Sequence, residues 1–193
     1  RLAIDGEVVT TLVAFHGCPL RCKYCLNPHS LSKDAQCIER TVEELIDEVR
    51  IDQLYFLATG GGVTFGGGEP LLNSAFIKAF CEQCPKEWRI SIESSLNVPR
   101  KNVEDVLPFV REWIIDIKDM NSDIYKAYSG ISNEQVIDNL KWIATEYPDL
   151  LSSIIIRLPH IPNYNTDDDR NKSQAFLETL GYTRFDRFEY IIR

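Results

Sequence analysis

Apolar positions along the chain fall into short runs that alternate with stretches of helical periodicity. The runs are rich in Val, Ile, Phe and Thr, which are enriched in strands, and each has the length of a strand. They predict six strands, at residues 11–15, 62–65, 90–94, 113–118, 154–158 and 185–192.

The segments between these runs predict amphipathic helices. Thr41 followed by Glu44 forms a capping box, which opens a helix through about residue 57. Asn73 and Asn133 are candidate N-caps of two helices that carry apolar faces. Two further helices are expected over residues 103–110 and 171–180.

Strands that alternate with helices predict parallel strands joined by crossover connections. No internal repeat or low-complexity linker divides the chain, so we expect a single domain over residues 1–193. Six strands with about as many helices favour an α/β fold, either an open sheet or an incomplete barrel. In both architectures the functional site belongs at the carboxyl ends of the strands.

Short motifs follow the predicted strand ends. They are His16-Gly17-Cys18 after the first strand, Gly66 to Pro70 after the second, Ser94-Ser95 after the third, Asp116-Ile117-Lys118 at the fourth and Arg157 in the fifth. Because the carboxyl ends of parallel strands meet at one edge, these motifs predict one shared active site.

Charge and composition narrow the class of protein. The 193 residues carry a net charge of −8, which disfavours a general nucleic-acid binder because phosphate neutralisation needs a basic surface. No apolar run approaches the roughly 20 residues of a membrane span. Three of the six cysteines fall within eight residues, which predicts a metal or cluster site in a reducing compartment, hence the cytoplasm. The first residue is Arg1, so we expect the natural N-terminus to be missing.

The cysteine-rich loop has the spacing C-x3-C-x2-C, formed by Cys18, Cys22 and Cys25. Three thiolates can hold three corners of a 4Fe–4S cluster and leave one iron open, because an ordinary cluster takes four cysteines. Zinc is the alternative, with His16 or His29 as a fourth ligand. Structural zinc sites more often pair two C-x2-C motifs, so the spacing favours a cluster.

Other residue types that bind metals have simpler interpretations. Cys81 and Cys84 fall on the apolar face of a predicted helix and are expected to be core thiols. Cys37 has no other cysteine near it in the sequence, and a single cysteine is too few to hold a second cluster in this part of the chain. The acidic run 167–169 precedes a helix, where carboxylates complement the helix dipole. His160, at the end of the fifth strand, is a candidate for facing the substrate.

Taken together, the cysteine loop and the glycine-rich segment resemble the radical S-adenosylmethionine superfamily. Within it, the chain resembles the activating enzymes of glycyl-radical enzymes, of the pyruvate formate-lyase-activating type. The resemblance runs from about residue 5 to the end of the chain and rests on the cysteine loop, on residues 60–70, on residues 116–121 and on residues 165–169. It implies an incomplete (β/α)6 barrel with parallel strands.

A role for each site residue follows from this resemblance. The implied residues are Cys18, Cys22 and Cys25 for the cluster, Tyr24 for the adenine, Gly67, Gly68 and Glu69 for the methionyl amino group, Ser94, Asp116 and Lys118 for the methionine and ribose, and Arg157 for the carboxylate. Glycines let a backbone approach a ligand closely, and a carboxylate suits an ammonium group. Glu93, Ser94 and Asp116 match the positions of a monovalent cation site.

The implied reaction is reductive cleavage of S-adenosylmethionine by the cluster. The resulting 5′-deoxyadenosyl radical abstracts hydrogen from a glycine of a partner glycyl-radical enzyme. The implied partners are that enzyme, bound transiently, and an electron donor such as flavodoxin or ferredoxin. We expect an anaerobic, monomeric, cytoplasmic enzyme with no nucleic-acid or membrane partner.

In two places the chain departs from the family pattern. Residues 5–10 read Asp-Gly-Glu-Val-Val-Thr where many activases carry Asp-Gly-Pro-Gly-x-Arg, which favours a partner other than pyruvate formate-lyase. The sequence also stops at Arg193, before a Pro-Tyr-His-like segment, so one wall of the substrate groove is expected to be missing.

Two other functions remain open at this point. One is a radical enzyme that modifies a small molecule or a peptide. The other is a non-catalytic iron–sulfur or zinc module that only binds a partner. The Gly-Gly-Glu-Pro and Asp-x-Lys motifs disfavour the second alternative, because a passive carrier would not need them.

Overall fold

The computed structural model describes residues 8–31 and 36–190. Six strands form one sheet in the order β1-β2-β3-β4-β5-β6, and every neighbouring pair is parallel. The strands are β1 (Thr10–Phe15), β2 (Gly62–Gly67), β3 (Arg89–Ser94), β4 (Glu112–Asp116), β5 (Ile154–His160) and β6 (Phe185–Glu189). Residues 5–7 and 191–192, on which two of the sequence predictions fall, lie outside the described residues.

Seven α-helices connect these strands within the described ranges. They are α1 (Val42–Val49), α2 (Gln53–Thr59), α3 (Ser74–Gln83), α4 (Arg100–Val106), α5 (Ser122–Ser129), α6 (Glu134–Glu146) and α7 (Asp167–Thr179). Short 3-10 helices cover Pro28–Leu31, Arg50–Asp52, Pro70–Asn73 and Pro148–Ser153. None of the helices in the described ranges is long and apolar enough to cross a membrane.

The order of the strands confirms the predicted fold class. Each strand pairs with its neighbour in sequence, and β1 and β6 lie at opposite ends of the order, so the described sheet is an incomplete six-stranded barrel. All six predicted strands are present, and their ends differ by a few residues. The second strand continues to Gly67 because its backbone stays in register with β1 as far as Phe15. The fourth strand ends at Asp116 rather than at Lys118.

Local capping explains where the helices differ from the prediction. The capping box at Thr41 is confirmed, since its hydroxyl accepts from the amide of Glu44 at 3.2 Å. The predicted helix is nevertheless split into α1 and α2 by the 3-10 turn at Arg50–Asp52. The last helix begins at Asp167 rather than at residue 171, because a second capping box joins Thr166 and Asp169.

Two asparagines predicted as N-caps stand at the expected positions without capping through their side chains. Asn73 and Asn133 precede α3 and α6, and neither side chain bonds to its helix. The Asn133 amide donates instead to the carbonyl oxygens of Asp119 and Met120, at 3.3 and 3.0 Å. Asn133 therefore ties the start of α6 to the loop that follows β4.

One main hydrophobic core fills the space between the sheet and its helices. Phe65 and Ile92 of the central strands are fully buried, as are Phe80 of α3 and Leu140 of α6. The rings of Phe65 and Phe80 meet edge to face, with centroids 5.3 Å apart. Because α3 and α6 share this core with the sheet, the carboxyl ends of the strands rest on a packed scaffold. That the whole chain is a single domain stays a prediction.

Candidate functional site

A cavity of about 430 Å³ opens at the carboxyl ends of the strands. It is lined by the cysteine loop that follows β1, by the end of β2, and by residues at the ends of β3 to β6. Of the predicted site residues, Cys18, Cys22, Cys25, Gly67, Gly68, Glu69, Ser94, Asp116, Lys118 and Arg157 line it. The predicted convergence of the strand-end motifs is therefore confirmed.

The cysteine loop is held on α5 by backbone hydrogen bonds. The amide of Arg21 donates to the carbonyl of Ser129 at 2.7 Å, and the amide of Lys23 donates to the carbonyl of Tyr128 at 3.2 Å. The Arg21 guanidinium turns back onto its own loop and donates to the carbonyl of Cys18 at 2.8 Å. The loop is thus fixed at its middle, with its thiols facing the cavity.

Two of the thiols, those of Cys18 and Cys22, sit in surroundings that favour their protonated form. Burial raises the pKa of Cys18 from 9.0 to about 11, and burial also raises the pKa of Cys22, against the opposing charge of Lys118. Within residues 8–31 and 36–190, no three His, Cys, Asp or Glu side chains stand close enough together to hold a metal ion. A cluster does not require such convergence, because each thiolate binds a separate iron, and its binding must displace the thiol protons.

Beside the loop runs the Gly-Gly-Glu segment, formed by Gly67, Gly68 and Glu69. The amide of Gly68 donates to the carbonyl of Phe15 at 2.9 Å, and the amide of Glu69 donates to the carbonyl of Gly17 at 2.7 Å. A Cβ atom on Gly68 would lie 2.1 Å from that Gly17 oxygen. Glycine is therefore required here by contact with the cysteine loop, whereas the sequence analysis attributed it to the ligand.

The Glu69 side chain joins the ends of two strands. One carboxylate oxygen accepts from the Ser94 hydroxyl at 2.8 Å and from the amide of Leu71 at 3.2 Å. The other accepts from the amide and the hydroxyl of Ser95, at 2.9 and 2.7 Å. Burial raises the pKa of Glu69, and these bonds oppose the shift. Four protein donors already satisfy this carboxylate, so it acts first as a link between β2 and β3.

A buried lysine also lines the cavity. The ammonium of Lys118 lies 3.0 Å from a carboxylate oxygen of Asp116 and donates to the Tyr190 hydroxyl at 3.2 Å. Burial disfavours its charge, yet the Asp116 carboxylate holds the pKa of Lys118 well above its usual value. The cavity therefore contains a fixed positive charge, as a site for an anionic group requires.

The positions expected for a monovalent cation face cationic side chains instead. The Arg157 guanidinium lies 3.8 Å from Glu93 and 3.4 Å from Asp186, while Asp116 faces Lys118. Each carboxylate already has a positive neighbour. A cation at this position would compete with these ion pairs.

Tyr24 is the one predicted site residue that does not line the cavity. Its ring packs edge to face against Tyr128 and Tyr164, with centroids 6.0 and 5.8 Å away. Its hydroxyl accepts from the Asn163 amide at 3.2 Å. The contact of Tyr24 with adenine stays a prediction.

Several lining residues escaped the sequence analysis. They are Leu20, Leu26, Asn27, Asp186, Phe188 and Tyr190. The last three could have been found, because residues 186, 188 and 190 alternate along the predicted sixth strand and therefore share one face.

Residues given simpler interpretations lie where those interpretations place them. Cys81 and Cys84 are buried in the core, and burial raises the pKa of Cys81 to about 12. Asp169 caps α7 as part of the acidic first turn. His160, in contrast, was the candidate for facing the substrate; it pairs with Glu189, with 2.5 Å between ring nitrogen and carboxylate, and does not line the cavity.

Comparison with protein families now identifies the class of protein. The radical SAM superfamily matches residues 12–172, and the chain belongs to this superfamily. Its members use a 4Fe–4S cluster and S-adenosylmethionine, which settles the choice between a cluster and zinc. The structure fits these groups, because three thiols, a buried ammonium and a glycine-rich backbone line one cavity.

Similar curated proteins are activating enzymes. The chain is 33% identical over 240 residues to the (2S)-3-sulfopropanediol dehydratase activating enzyme of Klebsiella oxytoca, a match that covers 92% of this chain and 74% of the relative. It is 30% identical over 182 residues to the pyruvate formate-lyase 1-activating enzyme of Escherichia coli strain K12, covering 92% of this chain and 72% of the relative.

Solved structures share the fold. Streptococcus suis SuiB bound to S-adenosylmethionine superposes with a TM-score of 0.71 at 14% identity, covering 96% of this chain and 41% of SuiB. Coproporphyrinogen III oxidase of Escherichia coli gives a TM-score of 0.60 at 16% identity, covering 96% of this chain and 45% of that enzyme. This chain thus spans less than half of either protein, and the likeness concerns the barrel alone.

Proposed function

We propose that this protein activates a glycyl-radical enzyme by abstracting hydrogen from one of its glycines. One observation carries the proposal: three thiols and the Gly-Gly-Glu segment line the same cavity, in a chain whose similar relatives are activating enzymes. When bound, the 4Fe–4S cluster supplies the electron that cleaves S-adenosylmethionine into methionine and a 5′-deoxyadenosyl radical.

The residues of the chain would bind and orient the two cofactors. Cys18, Cys22 and Cys25 would ligate three irons, which leaves the fourth iron open for the cofactor. The backbone of Gly67 and Gly68 would face the methionyl amino group. The hydrogen bonds that Glu69 accepts would hold this backbone in place. These roles follow from the family resemblance and are supported by the position of all six residues on the cavity wall.

The charged side would hold the rest of S-adenosylmethionine. Lys118 supplies a buried ammonium for the carboxylate or ribose oxygens, with Asp116 fixing its position at 3.0 Å. Arg157 stands close by and is held by ion pairs to Glu93 and Asp186. A bound anion would therefore compete with these two carboxylates for the guanidinium.

The substrate would be a peptide loop that enters the cavity. Hydrogen abstraction requires the glycine carbon within contact distance of the radical carbon, so the partner must deliver its loop into the groove. Exposed apolar residues stand near the entrance, among them Leu26 on the cavity wall and Leu72 beside the Gly-Gly-Glu segment. We further propose transient binding to the partner, an electron donor such as flavodoxin or ferredoxin, and a cytoplasmic monomer.

The test is radical transfer to a candidate partner. Reduced, cluster-loaded protein is incubated with S-adenosylmethionine and the glycyl-radical enzyme encoded beside its gene, and the electron paramagnetic resonance spectrum is recorded. A glycyl doublet on the partner supports the proposal, and a partner with that glycine replaced by alanine is the matched control. Turnover of a free small molecule or peptide, with no radical on the partner, would replace this function with the alternative.

A further inference from the structure

The turn that follows β3 contains a residue in an unusual backbone conformation. Leu96 has φ +56°, in the left-handed region that bulky residues rarely adopt, and its side chain is fully buried. Such a conformation persists only where surrounding contacts hold it, and it tends to occur near functional sites. The turn Ser94–Asn97 lies against the cavity, since Ser94 and Ser95 line it.

Asn139 holds this turn from the helix behind it. The Asn139 amide nitrogen donates to the carbonyl oxygens of Leu96 and Val98, each at 2.9 Å. Its own oxygen accepts from the side chain of Gln135 at 3.4 Å. Asn139 is fully buried on the apolar face of α6, beside Leu140, and does not line the cavity. Every polar group of this amide is therefore used inside the protein.

From the turn, hydrogen bonds continue to the cavity wall. Ser95 donates its amide and its hydroxyl to one oxygen of Glu69. The Ser94 hydroxyl donates to the other oxygen and accepts from the amide of Leu96. The orientation of both serines thus depends on the left-handed backbone at Leu96. A continuous set of contacts leads from Asn139 to Glu69.

We propose that Asn139 is a positioning residue for S-adenosylmethionine. It holds Leu96 in the left-handed conformation, so that Ser94 and Ser95 fix Glu69, and Glu69 in turn holds the Gly-Gly-Glu backbone in place for the ligand. The inference rests on the proposed function only in that S-adenosylmethionine binds in this cavity. It does not depend on which partner is activated.

Asn139→Leu is the first variant, because leucine has a similar size and donates no hydrogen bond. Tyr182→Phe is the matched control: the Tyr182 hydroxyl is buried and donates to the carbonyl of Leu140 on the same helix, at 2.9 Å, without touching the turn. The two variants lose buried hydrogen bonds to backbone carbonyls near the same helix. Thermal unfolding of both is recorded to compare their stability.

The decisive readout is the dissociation constant of S-adenosylmethionine, measured by equilibrium dialysis on cluster-loaded protein. We expect Asn139→Leu to weaken binding about three- to tenfold, a typical size for coupling through a packed network, with unchanged iron content. Tyr182→Phe should leave the dissociation constant unchanged. In cofactor-free protein, hydrogen exchange at the amides of Ser95 and Leu96 should become faster in Asn139→Leu alone.

Ser95→Ala completes the test. If Asn139 acts through the turn, the double variant should bind S-adenosylmethionine more tightly than the product of the two single effects predicts. Asn139→Ser, which keeps one donor in a smaller side chain, replaces Asn139→Leu if the latter yields too little folded protein. Unchanged affinity in the variant, or fully multiplicative effects, would overturn the inference. Intact binding without any partner radical would overturn only the proposed function.

Discussion

The two walls of the cavity are built in opposite ways. In one wall, the three cysteines of the loop line the cavity, and burial raises the pKa of Cys18 and Cys22, which favours their protonated forms. In the adjoining wall, Glu69 is fully enclosed and accepts four hydrogen bonds from protein donors. The Glu69 wall has its hydrogen bonds satisfied within the protein, whereas the cysteine wall has thiols that still have to bind a metal.

This difference indicates where the protein provides pre-organisation. A polar network that is satisfied in the folded chain loses no conformational freedom when a ligand arrives. A thiol loop must instead give up protons and order its side chains, so its affinity for metal depends on pH and on the supply of iron and sulfide. The following predictions test the contributions of the two walls separately, in order of decreasing effect.

The largest effect is expected from the cysteine loop. Cys18→Ala, Cys22→Ala or Cys25→Ala should each abolish the cluster, because three thiolates are the full set of protein ligands proposed here. Iron and sulfide contents after anaerobic reconstitution, about four of each in the unmodified protein, measure the loss. Cys84→Ala, which removes a buried thiol far from the loop in sequence, should retain the cluster. Stoichiometric zinc without sulfide in the unmodified protein would contradict the cluster.

A large effect is also expected where the two walls touch. In Gly68→Ala, the added Cβ would lie 2.1 Å from the Gly17 carbonyl oxygen, so the segment must move away from the cysteine loop. We expect a loss of roughly 2 kcal/mol or more in the free energy of unfolding and greatly weakened S-adenosylmethionine binding.

The control for that variant isolates backbone strain from steric contact. Gly60 has φ +69° and no atom within 4 Å of an added Cβ. Gly60→Ala should therefore cost about 1 kcal/mol and leave cofactor binding intact. Equal losses in urea unfolding of the two variants would show that close contact at Gly68 is not the cause.

A moderate effect is expected from pH. Because burial raises the pKa of Cys18 from 9.0 to about 11, metal must displace a proton from this thiol throughout the neutral range. Cluster loading by the metal-free protein should therefore increase steadily with pH between 6.5 and 9, by up to about tenfold per pH unit for each proton displaced. Iron retained after gel filtration measures loading, and a flat profile would indicate that the thiols are already ionised.

The smallest effect on the site is expected from a cap that belongs to neither wall. Thr166→Ala removes the hydroxyl that accepts from the amide of Asp169 at the start of α7. The free energy of unfolding should fall by about 1 kcal/mol. Iron content and S-adenosylmethionine affinity should be unchanged, and a change in either would mean that α7 influences the cavity.

The sequence predicts the strands and the motifs at their ends better than it predicts the turns and the contacts between them. All six strands could be recognised from their apolar runs, and the motifs at their ends do converge on one cavity. Helix α5 was not predicted, although Asn121 caps it through its side chain and Gly130 ends it in the left-handed conformation. Its apolar positions are mainly tyrosines, which give only a weak signal when apolar residues are counted at helical spacing.

Long-range contacts explain the remaining differences. The links from Asn139 to Leu96 and from Ser95 to Glu69 join residues 43 and 26 positions apart, which no local pattern records. A polar residue on the apolar face of α6 was the available signal for Asn139, because a buried amide must find partners. The packing of Tyr24 against Tyr128 and Tyr164 could not be predicted either, because the family motif specifies its position along the chain and not the direction of its ring.

The open sheet has a consequence for how its two ends are joined. The cysteine loop follows β1 and Phe188 belongs to β6, and no strand pairing joins these two ends in the described residues. A cluster of aromatic side chains bridges them instead, because Tyr24 of the loop packs against Tyr128 and Tyr164, and Tyr128 packs against Tyr190. The position of the cysteine loop relative to β6 therefore depends on side-chain packing rather than on a hydrogen-bonded ladder.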